Sequence, residues 1–234
     1  MSITENVISV KERIRAAAVS AGRDPEEVRL VAATKMNDAD RVREAIAAGV
    51  EICGENRVQE LTEKNAQGAY EGSELHFIGH LQKNKVKYLV GTVKLIHSVD
   101  DLELAQVISR RALSLGVVQD VLLEVNIGAE EAKSGFSPEE LRKIMPEMAA
   151  LSGIRVRGLM AIPPICADQE ENRPYFCRMK QLFIDIGAEK YDNVSMDFLS
   201  MGMSADFEAA VQEGANLVRV GTGIFGARNY GAEK

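Results

Sequence analysis

Apolar and polar residues follow two different rhythms along this chain. Residues 3–21 set Val7, Ile8, Ile14 and Val19 among Lys11, Glu12, Arg13 and Arg15, with Gly22 after them, which predicts an amphipathic helix. From residue 28 the rhythm changes. Short apolar runs at 28–34, 50–53, 75–78, 94–98, 118–126, 154–160, 194–199 and 216–220 predict strands. Longer mixed segments at 38–48, 56–67, 82–90, 100–115, 137–151, 170–187 and 204–213, and a short one near 222–227, predict helices between and after them.

The strand runs are apolar on both faces, as in Val121-Leu122-Leu123-Glu124-Val125. Such runs suit a parallel sheet covered by helices. Gly49, Gly116 and Gly214 each stand between a helical segment and a strand, where glycine turns the chain back toward the sheet. Eight strand–helix units in 234 residues predict a single (β/α)8 TIM barrel with an extra N-terminal helix. An open doubly wound sheet fits less well, because no G-x-G-x-x-G follows the first strand. No Pro/Gly/Ser-rich linker divides the chain, so residues 1–234 are expected to form one domain.

Composition narrows the classes of function. A net charge of -7 argues against a general nucleic-acid binder. Lys83, Lys85, Lys87 and Lys94 form one basic patch, read as a solvated face or a weak anion-docking site. Apolar runs are too short to span a membrane, and the N-terminus lacks a signal-peptide pattern, so the cytoplasm is expected. Cys53, Cys166 and Cys177 form no C-x-x-C pair, which speaks against disulfides and cysteine-rich zinc sites. His76 and His80 are four apart, but across a strand and a turn, so they do not share a helical face for a metal.

In a barrel of this kind, chemistry sits at the C-terminal ends of the strands. The first strand ends at Lys35, whose amine can attack carbonyls when desolvated. The last two strands end in Ser200-Met201-Gly202-Met203-Ser204 and Arg219-Val220-Gly221-Thr222-Gly223. Their glycines allow close backbone approach, and Ser200, Ser204 and Thr222 add hydroxyls. A helix start after each loop adds free N–H groups and a positive dipole end, completing the composition of a phosphate cradle. A lysine and a phosphate cradle across one mouth suit either pyridoxal 5′-phosphate or a phosphosugar in a Schiff-base aldolase.

The chain resembles the YggS/PROSC family of pyridoxal-phosphate homeostasis proteins. The resemblance is carried by Leu30-Val31-Ala32-Ala33-Thr34-Lys35, Gly54-Glu55-Asn56-Arg57-Val58-Gln59-Glu60 and the stretch from His76 to Lys85. Lys133-Ser134-Gly135-Phe136, Gly158-Leu159-Met160, Leu199 to Ser204 and Arg219 to Gly226 continue it in order. The resemblance implies a barrel like the N-terminal domain of alanine racemase, with the cofactor as a Schiff base on Lys35. It implies Arg219 facing the pyridine nitrogen, Ser200, Gly221 and Thr222 on the phosphate, and Asn56 beside the ring. Lys133 matches a surface lysine proposed in the family to pass cofactor on, for which a solvated loop lysine is the plainer reading. Met36-Asn37-Asp38 depart from the family, which often has a second lysine there.

A racemase needs a second acid/base across the cofactor. In alanine racemase a tyrosine from another domain supplies it, and this chain ends at Lys234 as the barrel completes. Tyr230 is read as a tail residue. An arginine at the ring nitrogen also weakens the cofactor as an electron sink. The expectation is a monomeric carrier of pyridoxal phosphate, with pyridoxal-phosphate-dependent apoenzymes as recipients and no nucleic-acid or membrane partner. A weak amino-acid racemase or lyase is the alternative.

Overall fold

A computed structural model describes residues 2–130, 133–164, 166 and 168–226. Tyr230 and the end of the helix expected at 222–227 lie outside the described residues. Helix α1 (Ile3–Ser20) opens the chain behind a capping box of Ser2 and Glu5. Then follow β1 (Arg29–Ala33), α2 (Ala39–Ala47), β2 (Ile52–Glu55), α3 (Val58–Ala66), β3 (Glu74–Phe77), β4 (Leu95–Val99), α4 (Leu102–Ser114) and β5 (Gln119–Val125). The chain continues through α5 (Pro138–Ala149), β6 (Ile154–Ala161), α6 (Arg173–Ala188), β7 (Val194–Ser200), α7 (Phe207–Gln212), β8 (Leu217–Val220) and α8 (Thr222–Phe225). The eight strands pair in chain order, all parallel, and β8 closes on β1 through Val31↔Arg219 and its neighbours. This is the expected TIM barrel.

Two sequence expectations shift in detail. The helix expected at 82–90 is a 3-10 segment over Lys83–Tyr88. Three of its six residues are lysines and only Val86 is buried, so no apolar stripe anchors a longer α-helix. In α1 the buried face is Ile3, Val7, Val10, Ile14, Ala17 and Ala18, while Ile8 and Val19 face solvent. The alanines, rather than the larger Ile8 and Val19, let α1 lie close against α7 and α8. Gly49, Gly116 and Gly214 take φ of 101°, 67° and 104°, the left-handed turn expected at the helix ends.

Most of the core lies between sheet and helices, from Val7 on α1 to Phe176 and Leu182 on α6. Inside the barrel a separate apolar cluster joins Val31, Ile52, Leu95, Leu122, Met160 and Leu217. Four polar residues, His76, His97, Ser200 and Arg219, share that interior, each 5% exposed or less. All three cysteines are free, with Cys53 buried. No described helix is long and apolar enough to cross a membrane.

Candidate functional site

The mouth at the C-terminal ends of the strands holds a cavity of about 540 Å³. Lys35, Asn56, Arg219, Gly221 and Thr222 all line it. Strand β1 stops at Ala33, and half-buried Lys35 opens a turn in which Met36 takes φ 59°. That turn is held on both sides of the lysine. The Thr34 carbonyl accepts from Lys64 Nζ at 2.8 Å, and the Met36 N–H donates to Glu60 Oε1. Lys64 Nζ also lies 2.7 Å from Glu55 Oε1 and 2.7 Å from Glu60 Oε1. Thr34 Oγ1 and the Tyr70 hydroxyl donate to the same Glu55 oxygen at 2.6 and 3.0 Å. Burial pushes the Glu55 carboxyl up, against the pull of Lys64 and Thr34. A buried charge is tolerated only with such partners.

Across the mouth, the loop after β7 is bent by Asp206. Its carboxylate accepts from the Met203 N–H at 2.7 Å and from Asn172 Nδ2 at 2.8 Å. The bend carries Ser204 over the β8 loop, where its Oγ accepts the N–H groups of Gly221 and Gly223 at 3.2 and 3.3 Å. Both amides are thus satisfied by Ser204 Oγ, so an anion's oxygen would reach them only by sharing or displacing that hydroxyl. Helix α8 has only four residues, so no helix dipole adds to them.

Arg219 rises from β8 between these two sides. Its Nη1 donates to Ser200 Oγ and its Nη2 to the Ala161 carbonyl at 2.9 Å. Burial lowers its pKa to about 10, with Glu124 and Asp206 pulling the other way, so it stays charged at neutral pH. Ser200 does not line the cavity. Its hydroxyl lies behind Arg219, 3.0 Å from His97 Nδ1. Ser204 takes the wall position that the resemblance gave to Ser200, and its signal was the second serine of the same loop.

Other groups fill out the wall. Asn56 lines the cavity, and its Oδ1 is buried without a hydrogen-bond partner among the described residues. A side chain at Gly79 would place Cβ 2.2 Å from the Asn56 carbonyl, so only glycine lets the end of β3 lie against Asn56. Glu124 is pushed up to about 7 by burial and by Asp100. His80 Nδ1 lies 3.1 Å from Asp100. Lys133, expected on the surface, lines the mouth, donates to the Pro163 carbonyl at 3.1 Å and pairs with Glu130. By contrast, Lys83 of the basic patch pairs with Glu103 at 2.5 Å outside the cavity, and Lys85 and Lys87 flank the Tyr88 ring. Among the described residues no three His, Cys, Asp or Glu side chains gather as a metal site.

An amine, a charged guanidinium, convergent amides and hydroxyls fit an aldehyde that also bears a phosphate. Comparison with known proteins points the same way. Residues 6–229 match the model of the alanine racemase N-terminal domain. The chain is 45% identical over 230 residues to a pyridoxal phosphate homeostasis protein of Aquifex aeolicus, covering 98% of this chain and 100% of that one. It is 43% identical to one of Pseudomonas aeruginosa, covering 99% and 98%. Its fold overlays PipY of Synechococcus elongatus, solved with pyridoxal phosphate bound, at a TM-score of 0.83 and 33% identity over 96% of this chain and 100% of that one. The chain belongs to the alanine racemase N-terminal domain family, and within it to the pyridoxal phosphate homeostasis proteins.

Proposed function

We propose that this chain binds pyridoxal 5′-phosphate at the barrel mouth as a Schiff base on Lys35 and serves as a carrier in vitamin B6 and amino-acid homeostasis. One observation carries the reading: Lys35, Arg219 and the Ser204–Gly221–Thr222 cradle face a single cavity. The cofactor bound to the PipY relative favours it over a phosphosugar. Lys35 would supply the amine. The Ser204 and Thr222 hydroxyls and the backbone at Gly221 would hold the phosphate, with Ser204 yielding the amide it now accepts. Asn56 would contact the ring, and Arg219 would offer its nitrogen donors only. The cofactor supplies an electron sink, and a donor-only neighbour that keeps its own proton leaves that sink weak.

The carrier reading is further supported by the names of the homologues. One barrel domain, monomeric and cytoplasmic, would suffice for the task, with cofactor-dependent apoenzymes as recipients. The purified protein incubated with pyridoxal phosphate should turn yellow, and borohydride should fix the mass of the adduct on Lys35. Lys35→Ala should lose both. Absence of the imine absorption in the wild-type protein would refute the proposal.

Glu124 favours a second reading. A carboxyl held near 7 inside the cavity is suited to acid–base work. Prompt loss of deuterium from an α-deuterated amino acid, abolished by Glu124→Gln, would make the protein a weak racemase or lyase.

A further inference from the structure

Barrel interiors of this type are filled mainly by branched apolar side chains. Here a line of polar groups runs through the apolar interior. Arg219 Nη1 meets Ser200 Oγ, Ser200 Oγ lies 3.0 Å from His97 Nδ1, and His97 Nε2 lies 3.0 Å from His76 Nδ1. His76 Nε2 then lies 3.4 Å from Glu74 Oε2. Arg219 lines the mouth cavity, while Glu74 and His76 line a second cavity of about 250 Å³ with Arg29, Lys94, Asp120 and Arg157. The line therefore joins two separate cavities.

Its two ends fix its direction. A guanidinium has only donors and a carboxylate has only acceptors. Ser200 must accept from Arg219, so its own proton goes to His97 Nδ1. His97 then carries its proton on Nε2 and donates it to His76 Nδ1. His76 carries its proton on Nε2 and donates to Glu74. Each hydroxyl and imidazole accepts once and donates once, and both imidazoles are neutral. The electrostatics agree. Burial pushes both histidines below their ordinary range, and His97 is further depressed by His76 and Arg219. Around His76, Glu74 pulls upward while Arg29 and Lys94 oppose it.

We propose that His97 and His76 are positioning residues that fix the guanidinium of Arg219 through Ser200. Ser200 and the Ala161 carbonyl take one N–H from each Nη and so set the plane of the group. The histidines lock the Ser200 rotor that holds the first of these. A proton added to His76 would make both its ring nitrogens donors. His97 would have to move its proton to Nδ1 and donate to Ser200 Oγ, leaving the Ser200 hydroxyl proton without its acceptor and unlocking the rotor that holds Arg219. The consequence for cofactor affinity rests on the proposed function; the positioning of Arg219 does not.

Nitrogen-15 NMR of the full chain without cofactor tests the positioning directly. Both rings should show the neutral Nε2–H tautomer and stay neutral at pH values where an ordinary histidine titrates, near 6.5. Arg219 should show resolved Nη–H signals. His97→Leu should average them. His97→Gln, whose Oε1 can accept from Ser200 and whose Nε2 can donate to His76, should keep them resolved. If His97→Leu does not fold, His76→Leu against His76→Gln makes the same comparison. An Nδ1–H tautomer, ordinary titration, or equal behaviour of the leucine and glutamine variants overturns the proposal. In a second arm, His97→Leu should weaken pyridoxal phosphate binding about tenfold, the order expected for a loosened hydrogen bond to a charged group, and shift the pH midpoint of the bound absorption, while His97→Gln stays within about twofold. Resolved Arg219 signals in a protein that binds no pyridoxal phosphate would sink the carrier reading and leave the positioning standing.

Discussion

Two buried polar networks flank the mouth, and they are built on opposite plans. Beside Lys35 the network is charged: Lys64 is 2.7 Å from both Glu55 and Glu60. Beneath Arg219 it is a single file of neutral groups, Ser200, His97 and His76, ending on Glu74. The first comes from one stretch of chain, Thr34 to Tyr70; the second gathers residues from β3, β4, β7 and β8. A charged cluster holds its members only while the one ammonium serves both carboxylates, and it fails badly when a charge is left alone. A neutral file has a direction, so it suits holding an orientation. The difference matches the two tasks. The charged cluster holds a strained backbone turn at Met36, and the file aims a side chain.

The largest effect should follow from breaking the charged cluster. Lys64→Met leaves Glu55 buried without its ammonium and should cost about 3–5 kcal/mol in urea unfolding. Adding Glu55→Gln should restore part of that loss, since glutamine can still accept from Thr34 and Tyr70. His97→Leu should cost less, roughly 1–3 kcal/mol, the range for a buried group left unpaired. The reverse order would mean that the file, and not the ion pair, is the stronger clamp.

A pH scan sharpens the contrast between charged and neutral groups. His76 and His97 have folded pKa values below their ordinary 6.5, so on acidification the unfolded chain takes up protons there before the fold does. Stability therefore falls as pH drops through the ordinary histidine range. Glu124 acts in the opposite sense. Raised from 4.5 to about 7, it holds a proton in the fold that the unfolded chain has lost, which stabilises the fold on acidification. Glu124→Gln removes the opposing group and should steepen the fall by about 1.2 kcal/mol per pH unit near pH 5.5, where Glu124 holds nearly one proton in the fold that the unfolded chain lacks. Other carboxylates titrate alike in both proteins, so the difference in slope isolates Glu124. Parallel slopes would show that Glu124 is ionised in the cofactor-free fold.

The barrel was readable from the sequence because strand and helix periods differ and because glycines punctuate the returns to the sheet. Strand ends were readable for the same reason, and they bring Lys35, Asn56, Gly221 and Thr222 to one mouth. Ser200 shows where that reasoning stops. It ends β7, and its side chain goes to the interior behind Arg219; four residues on, Ser204 reaches the wall. The histidines show a second limit. Spacing set His76 beside His80 only to reject them as a metal pair, and nothing in it pointed to His97, brought across by the β3–β4 register that sets His76 opposite Leu95. Lys64 shows a third. A lysine inside a helix reads as solvated, and only the packing of α3 on β2 turns it toward Glu55.

The smallest expected effect asks whether the two networks are separate devices. They share no residue and no hydrogen-bond partner. Thr34→Val removes one hydroxyl from the Glu55 cluster, and Ser200→Ala removes the link between Arg219 and His97. Each should lower stability by about 1 kcal/mol in the cofactor-free protein, the usual net worth of one hydrogen bond. The double variant should lose the sum, with a coupling below about 0.5 kcal/mol. With pyridoxal phosphate bound, both networks would act on one ligand, from the Lys35 side and from the Arg219 side. The same cycle, read as cofactor affinity, should then show coupling that stability does not, because a ligand misplaced at one end gains less from a fixed partner at the other. Coupling already present without cofactor would mean that the barrel itself joins the two networks, and the division between turn-holding and side-chain-aiming would fall.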